Sequence, residues 1–577
     1  MKIKYKLLLI LLSVITLVSC KKNFLDRGEV GRIPDANVYS SYTNVQQAIW
    51  NIYSYLPDGF NTGLPMEAAT DNAEANDPSS NINLFNTGSW NKFTNPDDVW
   101  SRNFTGINWV NRYLANRTKT NISWIQASIV ADSSAWFNAK ANLVYMRGEV
   151  SFLKAFFYFE LVKRYGGVPI MNDSYTFEKT GDLKNLPRNT LDDCIKYITN
   201  LCDTAYKIVP TNVETAGYFV KGRVTPGAIL ALKSRVLFYA ASPLFKSNGT
   251  SATWADAALA LHNVIVYAAT GAKYTLTSSY ATVFSPTNLS GKELIFEKRY
   301  GTINFLEFQN FPIVFQRGRG FSSYFGQSIT PTQDFVDAFE AITAKNGSGN
   351  ATASAPFDWN NPLMAAFPYK NRDPRLAATV VSDSSVFNGT VIGTFTGGNS
   401  GLPRQGATRT GYYLTKWIDP TRDLLNNTTS SHTWIYFRYG GILLDYAEAM
   451  FNAYGATGDP FGWGKTALQA FNEIRTRAKM PVILAGDLTQ ARIENERRVE
   501  LSFEDQRFWD VRRWMKGVNY FNNPVHRIEI TRAGGVITGA ASYKVKALEN
   551  RVFMPYMNLY PIPNQDASLT GWQNAGW

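Results

Sequence analysis

Residues 493–514 read I-E-N-E-R-R-V-E-L-S-F-E-D-Q-R-F-W-D-V-R-R-W, a run in which half the residues are charged and Phe503, Phe508, Trp509 and Trp514 are set among the charges. Glu496, Glu500 and Glu504 follow an i, i+4, i+8 spacing and share one helix face if the segment is continuous. Hydrolysis of a glycoside needs two carboxylates converging from opposite sides of a sugar, about 5 Å or about 6.5–9.5 Å apart. Neighbours on one helical face meet the distance but not the opposition. Their basic neighbours offer a simpler role, since Glu494 reaches Arg498, Glu504 reaches Arg507 and Asp510 reaches Arg513 at helical spacing. Charge this dense beside aromatic rings predicts a buried network with guanidinium groups stacked on ring faces. The stretch therefore predicts scaffold rather than catalysis.

Outward from it, the chain is dominated by apolar residues at helical period. Helices are expected over 42–55, with Thr43 as cap, and over 99–114 and 142–165, the last closed by Gly166, Gly167 and Pro169. Others are expected over 191–207, 226–241, 254–268, 442–453 and 465–478. They come in pairs on the scale of tetratricopeptide-like hairpins, without a strict repeat consensus. The alternative is generic helical packing. A chain of 577 residues is long for one ordinary core, so two intimately packed parts are expected.

Hydrophobic content of 45% and charged content of 18% place the chain among folded globular proteins, and an aromatic share of 14% is high enough to leave rings for the surface. The formal charge is +12, of which Lys2, Lys4 and Lys6 supply three. No run of Lys and Arg exceeds two residues, which argues against a nucleic-acid partner. Those three lysines precede an apolar run at 7–18 that is too short for a permanent membrane helix, which needs about 20 residues. L-V-S-C at 17–20 then resembles a bacterial lipobox, so residues 1–19 read as a lipoprotein signal peptide and Cys20 as the lipidated first residue of a tether over 20–41. The alternative is a plain signal peptide with an accidental cysteine. Cys194 and Cys202 lie eight apart on one predicted helix, about 12 Å in Cα separation, too far for a disulfide. His262, His432 and His526 are scattered without ligand spacing, so neither metal nor cofactor is expected.

Between the helices lie long polar excursions at 71–95, 300–325, 345–362 and 382–409, and loops of this length in a compact body are usually functional or disordered. The first two combine Asn, Asp and aromatic rings, the groups that bond sugar hydroxyls and stack on pyranose faces. Asp71, Asn72, Trp90, Tyr300 and Tyr324 are the candidate sugar contacts. For each, the alternative is an ordered loop with its side chain packed into the body. No nucleophile elbow, P-loop, dinucleotide fingerprint or H-E-x-x-H motif is present.

N-E-R-R-V-E-L-S-F-E-D-Q-R-F-W-D-V-R-R-W at 495–514 resembles the C-terminal hallmark of the SusD/RagB family of outer-membrane lipoproteins from Bacteroidetes. Collinear with it are M-R-G-E-V-S-F-L-K-A-F-F-Y-F-E-L-V-K-R-Y-G-G-V-P-I at 146–170, K-G-R-V-T-P-G-A-I-L-A-L-K-S-R-V-L-F-Y-A at 221–240, N-R-D-P-R-L at 371–376, F-R-Y-G-G-I-L-L-D-Y-A-E-A at 437–449, F-N-E-I-R-T-R-A at 471–478, L-Y-P-I-P at 559–563 and Q-N-A-G-W at 573–577. The resemblance implies a mostly α fold: about four tetratricopeptide-like helical pairs as scaffold, a loop-rich ligand-binding lobe and minor β structure, with an N-terminal helical region over 42–299 and a C-terminal region over 300–577. It also implies a non-catalytic glycan-binding protein, lipid-anchored on the extracellular side of the outer membrane, that delivers substrate to a SusC-like TonB-dependent transporter. Arg372 in the N-R-D-P-R-L turn becomes a further candidate for a hydroxyl contact, the alternative being an ion pair that fixes the turn. The competing readings are a surface glycan-degrading hydrolase or lyase and a scaffold that binds no glycan.

Overall fold

The computed structural model describes residues 35–120, 133–176, 183–288, 291–316 and 328–577. The lipobox with Cys20 and the candidate Tyr324 lie outside these residues. Eight helices form four successive pairs among them: α1 (Tyr42–Ser54) with α2 (Trp100–Asn116), α3 (Ser133–Tyr165) with α4 (Leu191–Ile208), α5 (Pro226–Ala241) with α6 (Trp254–Ala269), and α7 (Tyr439–Tyr454) with α8 (Ala467–Arg477). Each pair packs on the next, α2 on α3, α4 on α5 and α6 on α7.

Local sequence sets the helix ends. Ser41, not Thr43, caps α1 by accepting from the Asn44 amide. Thr225 accepts from the Ala228 amide ahead of Pro226, whose fixed φ suits the first helical position. Thr253 with Asp256 and Thr466 with Gln469 form capping boxes on α6 and α8. The 33-residue α3 is apolar around most of its circumference over its C-terminal half, which fits its place at the centre of the body. It ends at Gly166, whose φ of +73° closes the last turn. The close approach of α2 to α3 needs Gly106, where a Cβ would stand 2.8 Å from the Phe157 ring.

Strands are few among the described residues and occur in two-stranded antiparallel ribbons. β1 (Leu294–Ile303) pairs with β2 (Ser430–Arg438), which leads straight into α7. The described residues between 304 and 429 build a loop-rich lobe, completed by a hairpin of β3 (Val525–Ile530) and β4 (Tyr543–Glu549). Cys194 and Cys202 are buried free thiols on α4, and burial pushes both thiols up.

The stretch that opened the sequence reading is two helices, α9 (Gln490–Glu500) and α10 (Arg507–Arg513), not one. Between them Phe503 and Asp505 take φ of +58° and +56°, which turns the chain and packs the Phe503 ring against Phe335 at 5.5 Å. Glu504 therefore leaves the face it was expected to share with Glu496 and Glu500. Of the three expected local pairs only Asp510–Arg513 forms, at 2.8 Å. Glu494 binds Lys516 at 2.7 Å, and Glu504 binds Arg438 and Lys416, each at 2.7 Å. The charges instead tie remote elements together. Arg497 bridges Asp445 of α7 at 2.6 Å and Asp510 at 2.9 Å, while Arg513 takes Glu448 of α7 at 2.6 Å. Glu500 receives Arg438 at 2.8 Å, Arg375 at 3.0 Å and Arg477. Ring faces complete the network, with Arg513 over Phe238 at 4.3 Å and Arg512 over Phe508 at 3.4 Å.

Candidate functional site

The excursions at 71–95 and 382–409 meet, together with the strand at 329–331. Residues Ala73–Ala75 pair antiparallel with Ile329–Pro331, and the Asn76 side chain accepts from the Arg409 amide at 2.9 Å. The side chains expected to present a sugar surface there are nevertheless spent inside the fold. Asp71 is buried and gripped through both oxygens by Arg507 at 2.8 Å, with Arg498 at 3.0 Å. Burial alone would raise its carboxyl, but the two guanidinium groups outweigh burial and bring it down to about 2. Asn72 is wholly buried, donating to Glu67 at 2.6 Å and accepting from Arg498 at 2.6 Å. Trp90 is 2% exposed, its ring walled in by Phe85 at 4.9 Å, Tyr560 at 5.0 Å and Trp577 at 4.4 Å. Tyr300 is half-buried, donates to Asp58 and leans on Phe60 at 5.1 Å. In this structure Asp71, Asn72 and Trp90 hold the loop to the body and present nothing to solvent. Tyr300 keeps only a partial face.

Arg372 is buried as well, and the alternative ion pair is absent among the described residues: its guanidinium donates to the carbonyl oxygens of Phe339 and Pro368, both at 2.7 Å, and of Val336. The Phe357 ring covers one face at 4.1 Å. Burial brings its pKa down to about 10. Yet Arg372 lies in the floor of an open cleft of about 790 Å³, within the range of about 300–1,000 Å³ common for ligand sites.

The cleft is built from segments far apart in sequence. Strand Ala341–Lys345 brings Lys345, the turn over 367–374 brings Phe367, Tyr369, Lys370 and Asn371, the chain after α8 brings Lys479, and β4 brings Tyr543. The turn is pinned from beneath by the network of α9. Arg375 clasps Asp373 at 2.7 Å and reaches Glu496 at 2.6 Å and Glu500 at 3.0 Å. Asn371, Ser384 and Lys479 all line the cleft with positive φ, at +52°, +66° and +60°. Backbone in that region is uncommon outside glycine and collects where surrounding structure holds it for a purpose. Phe367 is 51% exposed, and Tyr543 meets Tyr369 edge-on at 6.1 Å. Hydroxyl and amide groups, a solvent-facing ring and a polar floor are the equipment for binding a sugar chain.

Both carboxylates of the cleft are occupied. Asp373 is held by Arg375, and Asp383 accepts from Arg532 at 2.7 Å and from the Thr394 amide at 2.9 Å. Among the described residues no cluster of His, Cys, Asp and Glu could hold a metal ion. Of the candidate site residues only Arg372 lies at the cleft, although the polar excursions at 345–362 and 382–409 supply part of its lining. Its rim residues sit singly at 345, 370, 384, 479 and 543, too far apart in sequence to form a motif.

A second groove, of about 1,010 Å³, runs between α4, α5 and α6. It exposes Tyr206, Leu259 and Val266 and is more apolar than the cleft. No helix among the described residues is long and apolar enough to cross a membrane.

Residues 292–577 match the model of the SusD family, and residues 24–238 match a SusD-like family model described as starch-binding and associating with the outer membrane. No curated protein sequence matches the chain significantly. Among solved structures, a SusD-like protein from Bacteroides fragilis is 25% identical, with 94% of this chain and 98% of that one aligned at a TM-score of 0.74. A SusD-like carbohydrate-binding protein from the same species is 20% identical over 92% and 99% of the two chains, TM-score 0.68. A laminarin-binding SusD-like protein is 19% identical over 93% and 99%, TM-score 0.59. The hallmark motifs, the four helical pairs and these matches agree: the chain belongs to the SusD/RagB family.

Proposed function

We propose that the protein is a glycan-binding lipoprotein of the outer membrane, anchored through Cys20 and facing outward, which captures an oligo- or polysaccharide in the cleft above Arg372 and delivers it to a SusC-like TonB-dependent transporter. The observation that carries this is the cleft itself, an open polar pocket with an exposed ring, its walls fixed by a buried ion network. Relatives described as carbohydrate-binding and laminarin-binding support the ligand class. Binding without cleavage is the action the cleft favours. General acid–base chemistry on a glycoside needs two carboxylates able to exchange protons with substrate, and Asp373 and Asp383 are both committed to arginines. The apolar groove between α4, α5 and α6 has the character of a protein contact and is the face we assign to the transporter.

Titration calorimetry against a panel of oligosaccharides, with chromatography of the same samples, tests the ligand and the action together. The expected result is heat of binding with every oligosaccharide recovered intact. Shortened products would replace capture by hydrolysis or lysis, and absence of binding across the panel would leave a scaffold. For the anchor, Cys20→Ala is expected to move the protein from the membrane fraction to the soluble one.

A further inference from the structure

Resting on that reading of the cleft, we infer that its ligand is acidic: a glycan bearing carboxylate or sulfate groups. Lys345, Lys370 and Lys479 line the cleft and all are exposed. None of them forms an ion pair among the described residues. Lys345 donates to the Asn371 amide oxygen at 3.0 Å, and Lys370 lies over the Phe367 ring at 4.5 Å. The negative charges that could balance them are consumed elsewhere, Asp373 by Arg375 and Asp383 by Arg532. In the floor Arg372 adds a guanidinium whose hydrogen bonds among the described residues go to carbonyl oxygens, and the nearby Asp337 carboxylate accepts from Gln333 at 2.7 Å and Trp359 at 3.1 Å.

Among the described residues most arginines are paired, which sets the Arg372 guanidinium apart. The four arginines Arg375, Arg438, Arg475 and Arg497 each meet carboxylates within hydrogen-bond reach. A concave site with lysines at its mouth and a buried cation below focuses positive potential inward, because field lines concentrate in clefts with low-dielectric walls. Lysine suits a sparsely charged polymer. Its ammonium is a point charge on a flexible stem with three donors, able to follow carboxylates spaced along a sugar chain without demanding one geometry. The sugar rings would meet Phe367 and the hydroxyl-bearing wall at Ser384 and Tyr543, while the acidic substituents would meet the lysines.

The test uses the full chain with three probes of matched length: a tetramer of galacturonic acid, a chondroitin sulfate tetrasaccharide and neutral maltotetraose, with tetraglutamate as a non-sugar anion. Affinities are measured by calorimetry at low and moderate salt for the wild type and for the triple variant Lys345→Gln, Lys370→Gln, Lys479→Gln. All three positions are exposed, so the variant is expected to keep the wild-type circular dichroism and melting temperature. The inference requires that at least one acidic oligosaccharide outbind maltotetraose, that its affinity fall about tenfold in the variant and that its salt dependence flatten. Maltotetraose bound as tightly as either acidic tetramer, and equally by the variant, would overturn the charge assignment while leaving glycan capture intact. Tetraglutamate bound as well as the acidic sugars would overturn it in favour of an unspecific anion patch. Failure of all oligosaccharides would remove the reading on which the inference rests.

Discussion

Arg497, Arg498, Arg507 and Arg513 of α9 and α10 all meet carboxylates inside the body, whereas Lys345, Lys370 and Lys479 around the cleft meet none among the described residues. In the first region charge is dense in sequence and cancelled in space. In the second it is sparse in sequence and left uncancelled. A buried ion is costly unless its partner and remaining hydrogen bonds are supplied, so the dense stretch fixes which elements lie beside which. Arg512, the one arginine of the stretch without a carboxylate among the described residues, sits among the rings of Phe508 and Phe553, and burial pushes its pKa down to about 9. An uncancelled charge in water costs little and remains available to a ligand. Charge that shapes the fold and charge that meets a partner are thus distinguished by compensation, not by abundance.

The most severe way to break this contrast is to remove Glu500. Its carboxylate is shared by Arg375, Arg438 and Arg477, and Glu500→Gln leaves three guanidinium groups short of a partner. Breaking a buried pair typically costs about 3–5 kcal/mol. A drop of that size in the free energy of urea unfolding is expected. Unchanged stability together with lost glycan affinity would mean that the network belongs to the site rather than the scaffold.

How much of this was legible beforehand follows from where the information lies. The helix over 226–241 was readable to the residue because Thr225 and Pro226 mark its start locally and the apolar period carries it through. The break at 501–506 was not, because Phe503 adopts a left-handed backbone to reach Phe335, a tertiary demand that overrides a helical pattern. Trp90 had the composition of a sugar-stacking loop, but its burial depends on Tyr560 and Trp577 at the far end of the chain. The cleft gathers Lys345, Lys370, Lys479 and Tyr543 from four segments, and nothing in any one segment announces the others. Periodicity and caps are local and survive in sequence; compensation of charge is a property of the folded surface.

A second, somewhat smaller effect concerns acid. Asp71 and Glu160 are both held down to about 2, burial working against them and paired cations winning: Arg498 and Arg507 for Asp71, Lys163 and Arg164 for Glu160. Folded-state values below the unfolded ones, about 4 for carboxylates, give stability that is complete above pH 4 and is lost as pH falls toward 2. Each contributes on the order of 2 kcal/mol. Urea midpoints measured from pH 6 down to pH 2 are expected to fall steeply in that window. In Asp71→Asn the midpoint is expected to be lower at pH 6 and to show a shallower fall.

Asp505 reverses the sign. Burial raises its carboxyl to about 7, with Lys163 and Arg164 opposing, and its oxygen accepts from the Trp509 ring nitrogen at 3.0 Å. A raised folded value means that stability declines as pH climbs from about 4 to 7 and is level beyond. Asp505→Asn keeps an acceptor for Trp509 and tolerates the positive φ of that position. It is expected to be more stable than the wild type at pH 8, with the gap closing by pH 4 in the same urea series.

The smallest change is expected at the rim, and it sharpens the contrast from the other side. Phe367 is half-exposed, with the Lys370 ammonium over its ring, so truncation leaves no cavity in the core. Phe367→Ala is expected to leave the melting temperature within a degree or so of wild type, as surface substitutions away from caps and networks usually shift stability by about 0.5 kcal/mol or less. If the ring stacks on sugar, the same variant loses about 1 kcal/mol of binding, roughly a fivefold weaker Kd by calorimetry. Phe367→Tyr, which keeps the face, is expected to restore it. A variant that binds normally but melts early would put Phe367 with the scaffold and move the sugar-stacking surface elsewhere in the cleft, to Tyr543. The opposite pairing, normal melting with weakened binding, is the signature that separates a residue kept for the ligand from those of α9 and α10, whose loss registers in stability.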